Sequence, residues 1–155
     1  MTVTVNIYLC TTAKKPINST AGTAFVIECM TSKGPATLTH KGCLENVKRN
    51  EAEILCLLEA LRKLNKPCEL VIYCSSPYTE RVLNEYLPKW EGNGWKNSKD
   101  KEVNELYKTL KNALKPHKFY GKNEIHSYSE WLTREAKQEE EKCLISMGNL
   151  TRQRS

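Results

Sequence analysis

The chain has 155 residues, a net charge of +6, 27% charged and 39% hydrophobic residues, and only seven Gly and six Pro. That balance excludes disordered, fibrous and collagen-like chains and is enough to bury a real core. Lys and Arg exceed Asp and Glu by 24 to 18, which permits a polyanionic partner without requiring one.

Residues 2–10, TVTVNIYLC, alternate cleanly and predict a strand with Val3, Val5, Ile7 and Leu9 on one face. A basic N-terminal leader is missing from MTVTVNIYLC, so no signal peptide is expected; no apolar stretch reaches the length of a membrane span, so no membrane partner is expected either. AGTAFVIECM (21–30) predicts a second strand, and SKGP turns the chain into a third, ATLTHKGC. NEAEILCLLEALRKL (50–64) carries the apolar stripe of a helix, with Asn50 and Glu53 spaced as a capping box.

CELVIYC (68–74) reads as a fourth strand that ends in Ser75-Ser76-Pro77, a cap and first-turn proline for a helix to about Tyr86. A Trp- and Lys-rich segment broken by Pro and Gly follows, then a helix over 105–115 and a last strand within 117–128. SEWLTREAKQEEEKCLISM (129–147) predicts a terminal helix whose EEEK stretch is a solvated face. The expected organisation is one α/β domain over 1–148, a mixed five-stranded sheet in the order β-β-β-α-β-α-α-β-α, with a flexible tail at 149–155.

Seven cysteines, at 10, 29, 43, 56, 68, 74 and 143, contain no CxxC pair. An odd count spread through apolar runs predicts reduced, buried thiols in a cytoplasmic protein, not a disulfide framework. His40, His117 and His126 show no ligand spacing.

The element order and three local patterns together resemble the type 1 ribonuclease H family. NEAEILCLLEAL matches the helix on which the family carries a catalytic glutamate, here Glu53. VIYCSSPY matches a strand-to-helix junction usually written T-D-S-x-Y, and LPKWEGNGWK is similar to the family's basic protrusion. The resemblance runs from about residue 3 to 137, with a rewritten stretch before the last helix. It implies a ribonuclease H-like fold and hydrolysis of RNA–DNA hybrids by two divalent metals held on four acidic positions.

Carried onto this chain, the four positions fall on Cys10, Glu53, Ser75 and Glu130. A thiol and a neutral hydroxyl at two of them leave too little negative charge for two close divalent ions. The implied function is therefore binding of duplex or hybrid nucleic acid by a protein with a degenerate, vestigial site at Glu53 and Glu130. No metal or other cofactor is expected. The alternatives are an active hybrid ribonuclease using Mg²⁺ or Mn²⁺ on Glu53 and Glu130, and a protein-interaction module with a protein partner. Glu53 and Glu130 also fit a plain helix-capping role, and Cys10 and Cys74 that of small core thiols rather than zinc ligands. By the same resemblance, Asn50, Lys89, Trp90, Trp95, Lys96, Lys99 and Lys101 are the candidate nucleic-acid contacts. Both tryptophans equally suit packing of their loop against the domain.

Overall fold

The computed structural model describes residues 3–97, 99 and 101–154, with side chains as far as 148. The alternating segments pair as expected: β1 (Val3–Thr11), β2 (Ser19–Thr31) and β3 (Gly34–Val47) form an antiparallel meander. α1 (Arg49–Leu61) then returns the chain across the sheet, so that β4 (Cys68–Tyr73) lies parallel to β1. β5 (Lys118–Lys122) adds parallel to β4, giving the order β3-β2-β1-β4-β5.

The two sheet faces bury different layers. Val5, Ile7 and Leu9 of β1 meet the α1 stripe and Leu110 and Leu114 of α4 (Glu105–Leu114) in the main core. Each such fully buried aliphatic side chain contributes roughly 1.5–3 kcal/mol. On the opposite face, α5 (Ser129–Arg154) packs Leu132 and Ala136 against Tyr8, Ala24 and Val26. Gly22 allows this approach: a Cβ there would overlap the Ala136 carbonyl and crowd the Glu140 amide. A glycine inside a strand commonly marks such close passage of another backbone.

Several local expectations change. α1 is preceded by Lys48 with no side-chain cap, and Asn50 is exposed within its first turn. The capping box fails because the Glu53 carboxylate turns inward to the Ser75 and Ser76 amides and the Ser75 hydroxyl. Ser76 does cap α2 (Pro77–Arg81), accepting from the Tyr78 amide at 3.2 Å. The helix then continues beyond Tyr86, through a π-helical turn at Val82–Tyr86 into α3 (Leu87–Gly92). Pro88 lacks an amide to donate backward, and the widened turn lies immediately before it.

α5 runs on to Arg154 where the sequence suggests a frayed tail. Its EEEK stretch is not simply solvated. Lys41 of β3 bonds Glu135 at 3.0 Å and approaches Glu139 at 3.9 Å, and Glu140 lines a groove described below. A disulfide joins Cys43 of β3 to Cys143 of α5, which corrects the expectation that all seven thiols are reduced. Sequence separation of 100 hides the pair, which only the docking of α5 on the edge strand brings together. No helix among the described residues is long and apolar enough to cross a membrane.

Candidate functional site

β1 and β4 run parallel and end side by side, so Cys10 and the residues after Tyr73 share one rim of the sheet. Glu53 reaches this rim from α1 because it lies one turn before Leu57 on the buried stripe; it is 1% exposed. Its carboxylate accepts the Ser75 amide at 3.0 Å, the Ser76 amide at 3.3 Å and the Ser75 hydroxyl. Burial raises the pKa of this acid, opposed by those hydrogen bonds and one from Thr79. Glu53 thus ties the end of β4 and the entry to α2 to helix α1.

Cys10, half-buried at the end of β1, has its Sγ 4.0 Å from the Thr133 hydroxyl of α5. Burial pushes its thiol pKa up, Thr133 and Lys137 act against that, and Glu53 adds to it. Cys74 is a core thiol as expected, buried and aimed at the Ile72 carbonyl. Glu130 is exposed in the first turn of α5 and lines no cavity at the rim. The α5 face turned to the rim carries Ser129, Thr133 and Lys137 at spacings of four, and Glu130 sits about 100° round the helix from Ser129.

A cavity of about 280 Å³ lies between this rim and the loop joining β5 to α5, lined by Cys10, Ser75, Asn123, His126 and Thr133 among others. Asn123 holds the loop by donating to the Cys74 carbonyl at 2.8 Å. The His126 ring packs 4.5 Å from Tyr8, and its Nδ1 accepts the Tyr128 amide. Burial lowers the His126 pKa, with Glu124 acting in the other direction. Asn123, His126 and Thr133 escape the sequence reading, since they meet only when the last loop folds over the rim. The four-residue spacing of Ser129, Thr133 and Lys137 was the available signal.

Gathered at the rim are the Glu53 carboxylate, the Cys10 thiol and the hydroxyls of Ser75 and Thr133, while Glu124, exposed and paired with Lys122 at 3.7 Å, also lines the cavity. Among the described residues no group of three or more His, Cys, Asp or Glu side chains is placed to hold a metal ion.

The Trp-Lys segment is arranged differently. Trp90 is half-buried, its ring 5.1 Å from Tyr107 and 5.4 Å from Tyr86. Trp95 adopts φ 66° and closes back on Trp90, donating its amide to the Trp90 carbonyl at 2.7 Å. Both tryptophans pack against the main core. Asn93 and Asn97 order the turn beyond: Asn93 pairs with both backbone groups of Lys96, and Asn97 accepts the Lys99 and Lys101 amides. Lys89, Lys99 and Lys101 are exposed and Lys96 is half-buried; none takes part in an ion pair among the described residues. Glu91, one of the acids in this segment, is drawn off by Lys111 at 3.5 Å.

Known proteins share this fold. LC9-RNase H1, a type 1 RNase H with the type 2 active-site motif, superposes with a TM-score of 0.70 at 15% identity, over 86% of this chain and 70% of its own. LC11-RNase H1, solved in complex with RNA/DNA hybrid, gives 0.63 at 18% identity over 90% and 99%. These likenesses establish the shared fold. In sequence, the Ribonuclease H of Cupriavidus pinatubonensis is 36% identical over 75 residues, 47% of this chain and 52% of that protein. The Ribonuclease H of Coxiella burnetii is 35% identical over 78 residues, 49% and 51% respectively. The chain thus spans about half the length of the curated relatives it matches. The RNase H family model, by contrast, matches residues 8 to 126, a span that includes α1, β4 and the Trp-Lys segment, and by that match the chain belongs to the RNase H family.

Proposed function

We propose that this chain binds duplex or RNA–DNA hybrid nucleic acid weakly and without sequence preference, and does not cleave it by a metal-dependent route. The observation that carries the reading is the state of Glu53. It is the one buried carboxylate at the rim among the described residues, and both its oxygens are already engaged by Ser75 and Ser76. Cys10, Ser75 and Thr133 offer a soft thiol and neutral hydroxyls, whereas Mg²⁺ and Mn²⁺ are held by several hard anionic oxygens. This donor set does not fit the family's metal pair, and no catalytic step is derived through it. Glu130, taken from sequence as the fourth acid, is exposed and turned away from the rim, which removes support for a metal site on Glu53 and Glu130.

Support for nucleic acid as the partner comes from the lysines of the Trp-Lys segment, which form no ion pair among the described residues, and from the hybrid bound by LC11-RNase H1. The test is an assay on labelled hybrid with Mg²⁺ and then Mn²⁺, beside a Glu53→Gln variant as control for contaminating nuclease. The expected result is binding that weakens steeply with salt and no cleavage. Cleavage that disappears in the variant overturns the reading.

A further inference from the structure

The rim opens sideways into a groove of about 890 Å³ whose walls carry Lys14, Lys15, Arg49 and Lys137. The four cations come from separate places in the chain: the loop after β1, the first turn of α1 and the third turn of α5. None of them forms an ion pair among the described residues. Two carboxylates share the lining, Glu53 and Glu140, and Glu53 is already engaged by Ser75 and Ser76.

The backbone that presents the cations is fixed. Thr12 donates its amide to the Gly22 carbonyl at 3.0 Å, and its hydroxyl accepts the Gly22 amide at 2.9 Å. The Arg49 amide donates to the Lys15 carbonyl at 2.9 Å, pinning the loop to the start of α1. Close passage of α5 over Gly22 sets Lys137 across from that loop. Cations without acidic partners among the described residues, beside the hydroxyls of Thr11 and Thr12, make a receptor for a tetrahedral phosphate anion.

We propose that this groove is a metal-independent phosphate site, in which Lys14, Lys15, Arg49 and Lys137 hold a backbone phosphate of the bound nucleic acid. It rests on the nucleic-acid-binding reading above for the source of the phosphate. Charge that divalent ions would deliver to a phosphate at this rim comes instead from ammonium and guanidinium groups, which orient and neutralise without activating water.

The test uses the full chain in EDTA with two probes. Inorganic pyrophosphate is titrated while backbone amide shifts are followed, and a labelled RNA–DNA hybrid is titrated by anisotropy. Both are repeated with a Lys14→Ala, Lys15→Ala, Lys137→Ala variant, whose fold is checked by circular dichroism. The expected result is pyrophosphate shifts at residues 11–15, 75–76 and 133–137. The variant should lose about tenfold or more in affinity for both probes, and its salt slope for hybrid should flatten by about 1. Pyrophosphate bound here with no hybrid bound keeps the phosphate site and sinks the nucleic-acid reading. Hybrid bound equally by the variant, or bound only with Mg²⁺ present, overturns the groove proposal and leaves that reading standing. Pyrophosphate shifts confined to other residues overturn it as well.

Discussion

The strand rim and the Trp-Lys segment commit their side chains in opposite ways. At the rim β1, β4, α1 and α5 converge, and the carboxylate buried there, Glu53, is engaged from within. In the Trp-Lys segment Trp90 and Trp95 are committed to packing, while Lys89, Lys99 and Lys101 face outward. A motif is thus no measure of a role. What a side chain can do depends on which of its atoms are already engaged.

The largest expected effect tests the framework at the rim. Gly22→Val should destabilise the protein by at least about 3 kcal/mol, because the clash is with the α5 backbone, which cannot rotate away. Gly92→Ala, where an added Cβ meets nothing within 4 Å, is the control. It should stay within about 1 kcal/mol in the same urea titration. Equal values for the two would mean that α5 does not dock as described.

Next is the staple on that helix. With the disulfide formed, Cys143→Ser should cost about 2–4 kcal/mol. Thiol titration of the unfolded wild-type chain should count five free cysteines, and a count of seven would remove the staple.

Trp90→Ala should cost about 2–3 kcal/mol, less than a fully buried aromatic, with hybrid affinity falling only as far as the loop loosens. Lys96→Ala with Lys99→Ala should do the reverse, changing stability by less than about 0.5 kcal/mol while weakening hybrid binding. If Trp90→Ala left stability untouched, the contrast between packing tryptophans and binding lysines would collapse.

The smallest effect separates two carboxylates by sign. Burial raises the pKa of Glu53, so the folded state holds its proton more tightly than the unfolded chain does. Its contribution is therefore full below the ordinary carboxylate range and is lost as pH rises through the raised value. Glu28 behaves oppositely: the Tyr128 hydroxyl, with Asn6 and Tyr8, holds its pKa down despite partial burial. Its contribution is present above the ordinary range and is lost as pH falls through the lowered value. Unfolding free energy against pH should accordingly lose its negative slope above the ordinary carboxylate range in Glu53→Gln. In Glu28→Gln it should lose part of the acid-side decline. The same slope change in both variants would mean that Glu53 is not buried as a carboxylic acid.

The sequence by itself determined the sheet and most of its helices, because alternation and the 3.6-residue stripe report which face of each element is buried. It also placed Cys10 and Ser75 at the ends of the strands that carry them, since those positions follow locally from β1 and β4. It misplaced what depends on distant partners. The capping role of Glu53 lost to amides from Ser75 and Ser76, 22 and 23 residues away. Glu130 is exposed while Thr133 lies beside Cys10, and helix periodicity does not encode how α5 rolls against the sheet. The Cys43–Cys143 bond and the groove between Lys15 and Lys137 likewise exist only once α5 lies across the sheet. Local pattern fixes which face of an element is buried, whereas which side chains meet is decided by how whole elements dock.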